Sequence, residues 1–94
     1  MMTLTVLGSP NCAPCRVVKN LLSSVVLPAD VRVRHVNVEE DHETAQQFRV
    51  RTLPTLLVLD ESEQVLASRV GSITEAALND LIAEARMRAL QSGK

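Results

Sequence analysis

Two cysteines, Cys12 and Cys15, stand where an apolar run, TLTVL at residues 3–7, gives way to a run with helical periodicity. They are the only cysteines in the chain. This pair constrains the fold more than any other feature, because a strand ended by Gly8, Ser9 and Pro10 and a helix entered at Pro14 must meet in one short turn that holds both sulfurs. Taken alone, the spacing admits three readings: an inert structural pair, half of a metal site, or a redox centre that opens and closes.

The rest of the sequence bears on that choice. A zinc site needs two further ligands, and the two histidines, His35 and His42, fall on separate predicted elements with no recognised ligand spacing. Both read as surface residues. An inert buried pair has no need of two thiols at a helix start. The amino terminus, MMTLTVLGSP, lacks the basic and apolar regions of a secretory signal, and no apolar run approaches the roughly 18 residues of a membrane span. The expected location is the cytoplasm, where a purely structural disulfide does not persist. Redox chemistry becomes the preferred reading.

At the start of a helix, Cys12 sits over unpaired backbone N–H groups and the positive end of the helix dipole, which favours its thiolate. Cys15, one turn inward, is placed to attack a mixed disulfide formed on Cys12. Pro14 suits a first helical turn and stiffens the loop.

Ten basic and eleven acidic residues leave a net charge of -1, so the chain offers no broad positive field for nucleic acid or anionic membrane. Its 94 residues bound one modest core, read as a single domain over 1–94. With no Trp, no Tyr and one Phe, that core must be built from Leu, Val, Ile and Ala around Phe48.

Pattern along the chain gives the element order. The spacing of Val18, Leu21, Leu22 and Val25 predicts a helix reaching about Leu27, stopped by Pro28. VRVRHVNV at 31–38 reads as a strand whose alternation slips at His35, as a bulge would make it. Asp41 is placed to cap a short helix with Ala45 and Phe48 facing inward. TLLVL at 55–59 and QVLASRV at 64–70 form a hairpin. Thr74 caps a last helix whose inner face is Leu78, Leu81, Ile82, Ala85 and Ala89, with Ile73 and Leu78 as a hydrophobic staple. The tail LQSGK is expected to fray. The sum is an α/β domain in three layers, α/β/α, of order βαβαββα, with a four-stranded mixed sheet whose first two strands are parallel and whose hairpin runs antiparallel to them.

A CxxC pair at the strand-to-helix turn of a βαβ unit is a redox signature, and here it is followed in order by RTLPT at 51–55 and RVGSIT at 69–74. With these three segments the chain resembles the thioredoxin superfamily, in a body as short as a glutaredoxin. The resemblance runs from about Leu4 to Ile82. It implies a dithiol–disulfide oxidoreductase with Cys12 and Cys15 as the reacting pair, Ala13 and Pro14 supporting the motif, and a cis Leu53–Pro54 bond beside it. Leu53, Pro54 and Gly71 would then bind the substrate segment. No bound cofactor is implied, since NADPH enters only through a thioredoxin reductase. Disulfide-bearing client proteins, a ribonucleotide reductase among them, are the implied partners of a monomer.

The departures from the family pattern are specific. Asn11 stands where thioredoxins carry Trp, and Val6 occupies the place of a buried carboxylate that accepts a proton from the inner thiol, which leaves water for that task. The Tyr and the Gly-Gly-Asp segment of glutaredoxins are replaced by Ala13-Pro14 and Val70-Gly71-Ser72. A glutathione-dependent glutaredoxin and a non-catalytic redox-sensing binding module are the alternative readings.

Overall fold

Six of the seven residues of the first strand are buried, on both sides of the strand, which only an interior strand with both faces covered allows. The computed structural model describes residues 1–92 and shows how that comes about. Strands β1 (Met2–Gly8), β2 (Val31–Asn37), β3 (Thr55–Leu59) and β4 (Val65–Val70) form one sheet in the order β2-β1-β3-β4. β1 runs parallel to β2 and antiparallel to β3, and β4 is antiparallel to β3. Helices α1 (Ala13–Ser24), α2 (His42–Gln47) and α3 (Glu75–Ser92) complete the expected order. No helix among the described residues is long and apolar enough to cross a membrane.

Side chains alternate across the sheet and so divide the core in two. On one face, Leu4, Val6, Val31, Leu56 and Val58 pack with Val18 and Leu22 of α1 and with Leu78, Leu81, Ile82 and Ala85 of α3. On the other, Leu7, Val36, Leu57 and Leu59 form a smaller cluster with Phe48 and Val50 against it.

This two-sidedness corrects the reading of β2. The strand holds an unbroken register with β1, from Met2 opposite Val31 to Gly8 opposite Asn37, and carries no bulge. The alternation slips at His35 because Val31 and Val33 serve one core while Val36 serves the other. The irregularity lies in the hairpin, where the β3–β4 register shifts between Val58 and Leu59.

Helix α1 is also shorter than its apolar spacing predicts. Val25 is already extended, with φ -98 and ψ 153, and its N–H donates to the Leu21 carbonyl. The Ser23 and Ser24 hydroxyls donate to the Asn20 and Leu21 carbonyls at 2.7 and 3.0 Å, side-chain bonds of the kind that compete with continuation of a helix. Val25 and Leu27 still pack on the core, so the apolar periodicity outlasts the helix.

Asp41 caps α2 as expected, accepting the Thr44 N–H at 3.0 Å and the Thr44 hydroxyl at 2.7 Å. These bonds hold its carboxyl below the usual value. They also draw Thr44 inward, so Thr44 is the buried residue of α2, while Ala45 and Phe48 are half-buried. Thr74 caps α3, its hydroxyl oxygen accepting the Ala77 N–H at 3.1 Å. The helix continues through Ser92, so Leu90, Gln91 and Ser92 of the expected tail are helical; Gly93 and Lys94 lie outside the described residues.

Candidate active site

β1 ends at Gly8, and the chain turns through Ser9, Pro10 and Asn11 to deliver Cys12 at the mouth of α1. Cys12 donates its N–H to the Ser9 carbonyl at 3.3 Å and is the N-cap of the helix. Its Sγ accepts the Cys15 N–H at 3.2 Å. The two cysteines are joined as a disulfide, with Cα atoms 5.2 Å apart. Pro14 lies within the first turn, which has no acidic residue to offset the positive end of the helix. Ala13 and Pro14 are exposed and Cys12 is half-buried, whereas Cys15 is 8% exposed.

Burial of Cys15 depends on a residue that sequence reasoning treated only as the end of a strand. A Cβ built on Gly8 would lie 2.9 Å from Cys15 Sγ and 3.1 Å from its Cβ. A side chain at position 8 would force the inner sulfur to shift from this position. The available signal was a glycine closing an apolar strand just before the motif.

Register carries the other expected residues to the same end of the sheet. Leu7 pairs with Thr55 and Thr55 with Val70, so the start of β3 and the end of β4 lie in line with the end of β1. The Leu53–Pro54 bond is cis, and the Gly71 N–H donates to the Pro54 carbonyl at 2.8 Å. Pro54 is fully buried, and Leu53 beside it is half-buried. Gly71 has φ +93, a conformation that L side chains resist, and nothing lies within 4 Å of where its Cβ would be. Backbone conformation, not crowding, makes this position a glycine, and the space above it is open. His35 and His42 are both exposed, on β2 and α2.

Comparison with known proteins decides what this arrangement is. The Thioredoxin family model matches residues 3–84. The chain belongs to the thioredoxin family. It is 32% identical over 76 residues to thioredoxin of Haemophilus influenzae, covering 79% of this chain and 70% of that one. The SPbeta prophage-derived thioredoxin-like protein YosR of Bacillus subtilis is 34% identical over 86 residues, 90% of this chain and 100% of its own. Among solved structures, a mutant thioredoxin from Halobacterium salinarum superposes with a TM-score of 0.78 at 30% identity, covering 89% of this chain and 74% of that one.

The chain is therefore a thioredoxin-type dithiol–disulfide oxidoreductase built on the Cys12–Cys15 pair. Thioredoxins carry two electrons on their own sulfurs and need no bound cofactor. Their partners are disulfide-bearing client proteins and the reductase that restores the dithiol.

Proposed function

We propose that Cys12 is the attacking thiolate and Cys15 the resolving thiol of a cytoplasmic, monomeric protein disulfide reductase. One observation carries the assignment: across a single helical turn Cys12 is partly exposed at the positive helix end, and Cys15 is buried over Gly8. Cys12 attacks a client disulfide, forming a mixed disulfide and expelling one client thiolate. Cys15 then attacks Cys12 Sγ, closing the Cys12–Cys15 bond and releasing the second client thiolate, so the client gains the two electrons that the dithiol loses.

Leu53, Pro54 and Gly71 would bind the client segment. Support comes from the Gly71-to-Pro54 hydrogen bond, which fixes two chain segments side by side, and from the open space at Gly71. An extended client segment would pair there with exposed backbone, as an added strand does. Regeneration falls to an NADPH-dependent thioredoxin reductase, and a ribonucleotide reductase is a fitting client, both by analogy with the family.

Two measurements test the reading. Limiting iodoacetamide near neutral pH should label Cys12 of the reduced protein well before Cys15; peptide mapping that finds Cys15 labelled first reverses the roles. In a coupled assay, NADPH consumption should require thioredoxin reductase. Sustained turnover with glutathione and glutathione reductase alone would instead assign the chain glutaredoxin chemistry.

A further inference from the structure

A cleft of about 400 Å3 opens beside the inner cysteine, and Cys15, Val6, Gly8, Lys19 and His35 contribute to its wall. Strand register explains why these residues meet. Val6 and Gly8 share one face of β1, and the contact between Gly8 and Cys15 Sγ places the sulfur over that face. Val6 pairs directly with His35, so the imidazole belongs to the same face one strand over. β2 is an edge of the sheet and His35 is exposed, which gives the ring a cleft on one side and solvent on the other.

Resolution needs a proton acceptor here. Cys15 must lose its thiol proton to attack, burial disfavours its thiolate, and the valine at position 6 accepts nothing. The charged groups around His35 are few. From α1 come Lys19 and Arg16, and the Arg16 guanidinium is engaged with the Pro10 carbonyl at 3.1 Å. From β1 only Val6 and Gly8 face the cleft, and neither titrates.

We propose that His35 accepts the Cys15 proton, directly or through one water in the cleft, when Cys15 resolves a mixed disulfide. The proposal rests on the roles assigned above to the two cysteines. The step balances: the Cys15 S–H proton passes to the imidazole, the Cys15–Cys12 bond forms as the Cys12–client bond breaks, and the departing client thiolate is protonated by solvent. At pH 7 the imidazolium then passes the proton to solvent, which leaves the ring neutral for the next cycle. Partial burial, and secondarily the Lys19 ammonium, lower the pKa of His35 from its ordinary value, so the ring is neutral and able to accept at pH 7. A general base of this kind acts through one water as well as by direct contact.

The test is single-turnover reduction of insulin by the reduced protein, following formation and decay of the mixed disulfide separately. In His35→Gln, formation should keep its wild-type rate, while decay at pH 7 should slow about tenfold or more, since an unassisted thiol is only a few per cent thiolate at that pH. The pH profile separates chemistry from structure. Wild-type decay should be level between the His35 and Cys15 pKa values and fall on the acid side of His35, whereas decay in the variant should climb about tenfold per pH unit with the thiolate fraction. Imidazole added to His35→Ala should speed decay without affecting wild type. An adduct on Cys12 that decays in His35→Gln with wild-type rate and pH profile overturns the role of His35 alone. An adduct mapped to Cys15 overturns both this proposal and the assignment of the two sulfurs.

Discussion

Cys15→Ser protein exposed to a cell lysate should accumulate client proteins as covalent adducts that dithiothreitol releases, while Cys12→Ser should capture few or none. The serine hydroxyl is a weak nucleophile near neutral pH, so the mixed disulfide on Cys12 has no internal attacker. Turnover of protein disulfides should fall on the order of a thousandfold or more, because the fold is kept and only the second chemical step is lost. A binding module would hold its partners equally well in both variants and without sensitivity to reductant, and that outcome would sink the two-sulfur mechanism. Small glutathione mixed disulfides offer a further control: a glutaredoxin lacking its second cysteine still turns them over, since glutathione itself resolves them, and this chain should do so poorly.

The other large effect is on stability. Leu78 is completely buried at the centre of the α3 face, among Leu56, Val58, Leu81 and Ile82 of the larger cluster. Leu78→Ala should cost about 2–5 kcal/mol through lost transfer free energy and the cavity left behind. Against a total of roughly 5–15 kcal/mol for a domain, that is a large fraction. The chain's one aromatic side chain, Phe48, packs against the other cluster, so none adjoins the gap. Urea unfolding of the oxidised protein, read by circular dichroism, should show a lower midpoint at unchanged slope. A loss below about 1 kcal/mol would mean that α3 is not the main cover of its face.

What could be read in advance, and what could not, follows from how local each signal is. Cys12, Pro14 and Cys15 announced the site because motif, helix start and strand end fall within a few residues of one another. Asp41 and Thr74 were legible as caps because a cap bonds to its own next turn. The end of α1 was not legible, since Val25 and Leu27 remain apolar to serve the core after the helix has stopped. The apparent bulge at His35 arose from reading a strand with two covered faces as if it had one. His35 was missed for a related reason: its relation to Cys15 depends on parallel register between strands that a helix separates in sequence, and no spacing along the chain encodes it. Gly8 stands close to the motif in sequence, but its contact with Cys15 depends on how α1 folds back over the end of β1.

The order β2-β1-β3-β4 leaves β2 and β4 as the two margins of the sheet, each with a row of backbone groups that a neighbouring molecule could pair with. Both margins are guarded. On β2, Arg32 and Arg34 alternate with the valines, and a second copy laid antiparallel or parallel along this strand would bring cations against cations. On β4, the register shift opposite Val58 and Leu59 bends the strand, and Ser68 and Arg69 leave its outer part polar. An aliphatic chain whose core strands are rich in Val and Leu is the kind that stacks into fibrils when its margins are bare. Here the charges that oppose edge pairing sit on the same two strands that carry His35 and lead to Gly71, so substitutions chosen to retune the redox centre from β2 or β4 should keep Arg32, Arg34 and Arg69 in place.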